Sequence, residues 1–257
     1  MPTEIHPSAI IHPSAQIGEN CRIGPFCVIG PKVVLGDNCH LHSHVVLDGN
    51  LRMGHTNEVY PFASLGLKTQ DLKWKGGETF TEIGDHNTFR EYVTIHSATG
   101  DGEYTRVGSH NNILAYCHIA HNVTLGNYII MSNVATLAGH VLVEDYAILG
   151  GMAGVHQFCR IGCMSIIGGC SKVVQDCPPY MIIDGNPAKT RTLNKIGLER
   201  RQVPEASRVA LKQAYRIMFR EGWNITAAVK KIQQEVPLEP EVRRLLDFVA
   251  GSERGMC

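Results

Sequence analysis

Counted in sixes from Ile5, the chain sets an apolar residue at nearly every stop. The series runs Ile11, Ile17, Ile23, Ile29, Leu35, Leu41, Leu47, Met53, Val59, Leu65, then Ile83, Phe89, Ile95, and from Val107 on to Val173. Of 29 positions in this phase, 26 are apolar; the exceptions are Asp71, Gly77 and Asp101. At 44% hydrophobic residues overall, about 13 would be apolar by chance. A helix repeats every 3.6 residues and a flat strand every 2. A period of six with two inward positions is the hexapeptide signature of a parallel β-helix. Three hexapeptides close one triangular coil of 18 residues, so residues 5–177 supply about nine to ten coils. At roughly 4.8 Å per coil, the prism is on the order of 45 Å long.

The position after the apolar one is often glycine, as in "IGENCRIGPFCVIGPKVVLGDNCH", which suggests a turn-type backbone there. Four residues after each apolar position comes a small or medium residue such as Ala9, Ala15, Val33 or Val45. Six of the nine cysteines (Cys21, Cys27, Cys39, Cys117, Cys159, Cys177) fall in that phase and read as small buried hydrophobes. The count is odd and no CxxC occurs, so neither a disulfide framework nor a zinc ribbon is indicated. Two polar, glycine-containing segments, near 68–80 and 97–105, interrupt the pattern without losing phase and read as loops at corners. After "CPPY" (177–180) the spacing becomes helical: "PEASRVALKQAYRIMFREG", "NITAAVKKIQQEV" and "PEVRRLLDFVAG". The expected domains are a solenoid over 1–186 and a helical unit over 187–257, which would also cap the open end of the sheets.

Residues 18 apart stack at one corner. His121, Gly139 and Gln157 form such a column, with His118 on the first coil, His140 following Gly139 and His156 preceding Gln157. Four of the thirteen histidines therefore meet on one patch about three coils tall. The others, such as His6, His12, His40, His42, His44 and His55, scatter over N-terminal coils as ordinary surface imidazoles. Two chemistries suit the patch. One imidazole could be a general base, with the Gly139 N–H stabilising an oxyanion one coil away; or three could hold zinc with an open position for water. A convex prism has no pocket of its own, so a second wall is expected from another subunit.

Lysine plus arginine balance aspartate plus glutamate at 24 each, which gives no electrostatic case for nucleic acid. The start, "MPTEIHPSAI", has no basic stretch followed by an apolar core, and nowhere do eighteen apolar residues run together, so no signal peptide or transmembrane segment and a cytoplasmic protein are expected.

The motifs "HIAH", "ATLAGHV", "GGMAGVHQFCRIG", "GGCSKVVQDCPPY" and "GLERR", with "FASLG…QDLK" and "REYVTIH", carry a closer likeness. Over nearly its whole length the chain resembles the acyl-[acyl-carrier-protein]–UDP-N-acetylglucosamine O-acyltransferases of lipid A biosynthesis. The resemblance implies a left-handed solenoid, whereas crossover connections are generally right-handed. It implies transfer of an (R)-3-hydroxyacyl group from acyl carrier protein to the glucosamine 3-position of UDP-N-acetylglucosamine, with no metal and no cofactor. By resemblance His121 is the general base and Gly139 the oxyanion donor. His118, His140, His156 and Gln157 line the sugar and diphosphate site. Gln70, Asp71 and Lys73, in the first loop, bind sugar and phosphate and are expected against the patch of a neighbouring subunit. Asn194, Arg200 and Arg201 match nucleotide contacts. Gly169 matches the acyl-chain ruler, and a glycine there implies acceptance of relatively long chains. Three positions depart from the family pattern: Asn122 where aspartate commonly follows the histidine, Ile196 where an acidic nucleotide contact is often found, and "IHSAT" for the usual "IHRGT".

Overall fold

The computed structural model describes residues 2–257. Short parallel strands form three sheets of 11, 9 and 8 strands, the three sides of a prism. Successive coils pair at the expected step of 18, as in Ile5↔Ile23 and Ile23↔Leu41 on the first side. At the loops the step grows to 30 (Val59↔Phe89) and then 24 (Phe89↔Ile113). The insertions are thus twelve and six residues, whole multiples of the repeat. Each side chain returns to its own side of the prism, and the core keeps its phase.

The period-six residues fill that core: Leu41, Leu47, Val59, Leu65, Phe89, Ile113, Ile119 and Leu137 are completely buried. The second inward position holds Val33, Val45, Ala63, Ala135 and the six cysteines named above, all buried and all free thiols. Several thiols donate to a carbonyl one coil on, Cys27 to His42 at 2.8 Å and Cys117 to Ser132 at 3.1 Å. Burial pushes Cys39, Cys117 and Cys159 up to about 11, which keeps them protonated and inert.

The glycine reading needs correction. Apart from Gly66 (φ 82°), the glycine after the apolar residue does not supply the left-handed turn. Two residues further on, non-glycine residues do: Asn20 (φ 55°), Phe26 (59°), Asn38 (59°), His44 (60°), His140 (61°) and Phe158 (66°). Many of these corners are held by a backbone bond to the coil below, such as His44 N–H to Pro25 O at 2.9 Å and His140 N–H to His121 O at 3.1 Å, while Phe26 N–H donates to Ser8 Oγ at 3.1 Å. The glycines are there for close approach: a Cβ on Gly36 would lie 2.7 Å from the carbonyl carbon of Gly54.

The repeat does not pass straight into helices at 187. Met181–Gly185 joins the first side as a parallel strand, and Ala188–Leu193 returns antiparallel to it. Four helices follow, α1 (Lys195–Arg200), α2 (Glu205–Phe219), α3 (Ile225–Glu235) and α4 (Pro240–Ala250). Among the described residues no helix is long and apolar enough to cross a membrane. Arg160 fastens α4 to the solenoid, donating to the carbonyl of Gly251 (2.8 Å) and lying 4.2 Å over the Phe248 ring. The last residues bind the solenoid end, with Asp176 N–H to Gly255 O and Cys257 N–H to Asp176 O.

Candidate active site

Both loops leave the prism at the corner between its second and third sides, after strands Ser64–Leu67 and Thr94–His96. His121, Gly139 and Gln157 occupy the same corner on the next three coils. One edge therefore carries, in order, the first loop, the second loop and the histidine patch. A Cβ at Gly139 would overlap the His121 ring, so the imidazole lies directly over this glycine.

His121 has a defined setting. Its Nδ1 lies 3.0 Å from Asn122 Oδ1, and its Nε2 points outward, 3.7 Å from Asp71 Oδ2. The Asn122 amide is fixed by two neighbours: Thr99 N–H donates to Oδ1 (3.1 Å) and Nδ2 donates to Glu103 (2.6 Å). Oδ1 can only accept, so His121 Nδ1 carries the proton and Nε2 presents a lone pair. Contrary to the expectation of a neighbouring subunit, the first loop meets its own chain, through Asp71 at His121 and Lys73 in the field of His140.

The N–H of Gly139 has no acceptor among the described residues. At the next corner round the prism the equivalent amides are capped from the coil above: Glu19 by Asp37, His55 by Asp85, Ser109 by Asn127 and Asn127 by Asp145. The ladder of caps is missing where the histidines stack. A free donor at a rigid corner beside a lone-pair imidazole is the pair that acyl transfer needs.

The remaining imidazoles have separate partners. His118 Nδ1 pairs with Thr94 Oγ1 at 2.8 Å, His140 stacks on Phe158 with ring centroids 4.6 Å apart, and His156 Nδ1 faces Arg254 at 3.3 Å. Gln157 and Gln70 are exposed, as is Lys73. Among the described residues the one His/carboxylate group with converging donor atoms is His40, His42 and Glu58, on N-terminal coils and outside the patch. There His42 Nε2 bonds to Glu58 (2.9 Å) and the His42 ring stacks on Tyr60.

Burial holds His118 down at about 4, and burial with the nearby His121 holds His96 below its ordinary value of 6.5. Burial thus biases both toward the neutral form. A depressed histidine stabilises the fold fully above about pH 6.5, and the contribution is lost as pH falls toward 4, because the unfolded chain binds the proton first. Thermal melts between pH 7 and 4 should show this decline, and His118→Asn should flatten it; an unchanged slope would contradict the assignment.

Other expected residues lie elsewhere. Arg200 and Arg201 flank a cleft of about 680 Å³ against the first side, together with Ile130, Ile148, Ile166 and Tyr146. Arg201 stacks 4.0 Å over Tyr146. In a three-sided prism that side is opposite the histidine corner, so one chain does not unite them. Gly169 stands at the third corner, between the first and second sides, exposed above Gly151. Asn194 lines the same cleft and also has a structural part. It is buried, its Oδ1 accepts from Gly197 N–H (3.0 Å) as the N-cap of α1, and its Nδ2 donates to Met164 O (2.8 Å). Glu103 was missed, although it stands eighteen residues before His121 and the coil rule pointed to it.

Comparison with known proteins agrees with this architecture. Residues 2–31 and 14–49 match the bacterial transferase hexapeptide (six repeats), and residues 176–257 match domain 2 of UDP-N-acetylglucosamine O-acyltransferase. The chain is a hexapeptide-repeat transferase. An acyl-[acyl-carrier-protein]–UDP-N-acetylglucosamine O-acyltransferase of Synechocystis sp. is 44% identical over 81% of this chain and 75% of its own. The structure of LpxA from Acinetobacter baumannii superposes with a TM-score of 0.95 at 42% identity, covering 98% of each chain. That of LpxA, a UDP-N-acetylglucosamine acyltransferase from Bacteroides fragilis, does so at 0.96 and 39%, covering 98% of this chain and 99% of that one. The protein belongs to the acyl-[acyl-carrier-protein]–UDP-N-acetylglucosamine O-acyltransferase family, and its solenoid is the left-handed parallel β-helix.

Proposed function

We propose that this chain transfers an (R)-3-hydroxyacyl group from acyl carrier protein to the 3-hydroxyl of the glucosamine in UDP-N-acetylglucosamine, the first step of lipid A biosynthesis, in the cytoplasm. The observation that carries this reading is the lone-pair Nε2 of His121 lying over Gly139, whose N–H has no acceptor among the described residues. His121 Nε2 takes the proton of the sugar hydroxyl as its oxygen attacks the thioester carbonyl. The Gly139 N–H meets the oxyanion that forms, and the glycine leaves room for the acyl chain. The intermediate collapses by breaking the carbon–sulfur bond, and the imidazolium returns its proton to the carrier's thiolate. Base and oxyanion donor suffice, so no metal is required; the patch imidazoles engage different partners and do not converge as a zinc site does. Asp71, Lys73, His140, His156 and Gln157 surround the sugar and diphosphate.

The complete site requires a trimer. The arginines and Gly169 are off the histidine corner of their own chain and reach such a corner only on a neighbour. An exposed ridge suits that contact: Phe26, Phe62, Tyr92, Tyr116, Val134 and Met152 line one edge, with adjacent rings of the stack 4.8–5.0 Å apart. Sedimentation should show a trimer. His121→Ala subunits mixed with Arg201→Ala subunits should regain partial activity; an active monomer, or mixtures without recovery, would contradict shared sites. Gly169→Met should fill the open corner and shift preference to shorter acyl chains, and an unchanged chain-length profile would remove Gly169 from the ruler role.

A further inference from the structure

Glu103 ends the second loop one coil beneath His121. Its Oε2 accepts from Asn122 Nδ2 at 2.6 Å and from Gly100 N–H at 2.9 Å. Asn122 is held from three directions, since its own N–H also donates to Thr105 Oγ1 at 2.9 Å. A carboxylate only accepts, so it fixes the donor end of the Asn122 amide and turns Oδ1 toward the imidazole. Asn122 alone can orient the ring, but a neutral amide cannot balance the charge that His121 acquires on taking a proton. We propose that Glu103 is the positioning residue of the base: through Asn122 it sets the tautomer of His121 and supplies the negative charge that an aspartate at 122 would carry itself. The role of the chain's departure at 122 is then a displacement of that charge by one hydrogen bond, from residue 122 to residue 103. The inference rests on His121 being the base.

The other charged or titratable groups facing His121 cannot do this. Asp71 is at Nε2, on the substrate side. His140 crosses it edge-on from the coil above, with ring centroids 5.2 Å apart, and His96 and His118 are held neutral by burial.

The test exchanges the charge between the two positions. Glu103→Gln should lower kcat by about ten-fold or more, a part of what the base itself contributes. Its acidic rate limb should move to lower pH, because the imidazolium loses its counter-charge. Asn122→Asp should also lose activity, since it sets two carboxylates in hydrogen-bond contact. The double variant, Asn122→Asp with Glu103→Gln, should be more active than either single one and should regain the wild-type limb. Losses that multiply in the double variant, or a limb that stays put in Glu103→Gln, would overturn the proposal. Glu103 is exposed, and circular dichroism melts check that each variant folds. Near-normal kcat in His121→Ala would instead remove the base reading on which the inference rests, so the two failures are distinguishable.

Discussion

Replacing His121 with alanine should lower kcat by about 10²–10⁴-fold, the usual loss of a general base. A sugar hydroxyl is a weak nucleophile near neutrality, and no other imidazole of the patch lies over the free Gly139 N–H. KM should change less, because Lys73, Gln157 and the arginines remain, so the loss falls on the chemical step. The fold should survive. His121 lies at a corner outside the apolar phase, and the coils around it are closed by Ile119, Val123 and Leu125, which stay in place. A variant with near-normal kcat would refute the assignment.

Gly139→Ala should be nearly as damaging from a single methyl group. The backbone at Gly139 is not left-handed, so alanine meets no conformational barrier there. The added Cβ would instead overlap the His121 ring, displace the base and crowd the amide that receives the oxyanion. Loss of an oxyanion donor alone typically costs about 10²–10³ in kcat, and displacement of His121 adds to it. The melting temperature should stay close to that of the wild type while activity collapses. A Gly139→Ala protein with ordinary turnover would show that neither the amide nor the ring position matters.

The solenoid was legible because its period is enforced by packing: an apolar residue that slips by one position turns outward, and neither loop disturbs the phase. The glycines misled because their enrichment has two possible causes. Close approach between coils requires them here, while the left-handed corners accept asparagine, histidine and even Val134 (φ 67°), each supported by a bond to the coil below. The strand Ala188–Leu193 was hidden because "AKTRTL" has no hexapeptide phase; its pairing with Met181–Gly185 is tertiary in origin. At the site, the stacking of His121, Gly139 and Gln157 followed from the step of 18. Glu103 obeys the same step but lies in a segment read only as a loop. Strand order places Arg200, Arg201 and Gly169 away from the histidine corner, which is the strongest internal reason for a neighbour's help.

The most direct test is one transfer reaction. Purified protein is incubated with (R)-3-hydroxyacyl-[acyl carrier protein] and UDP-N-acetylglucosamine, with and without a strong chelator, and the nucleotide sugar is followed by mass spectrometry. A singly acylated UDP-N-acetylglucosamine, esterified at the 3-position, is expected, with free carrier thiol released in equal amount and the same rate in both reactions. No acylated sugar, or transfer abolished by the chelator, would contradict it.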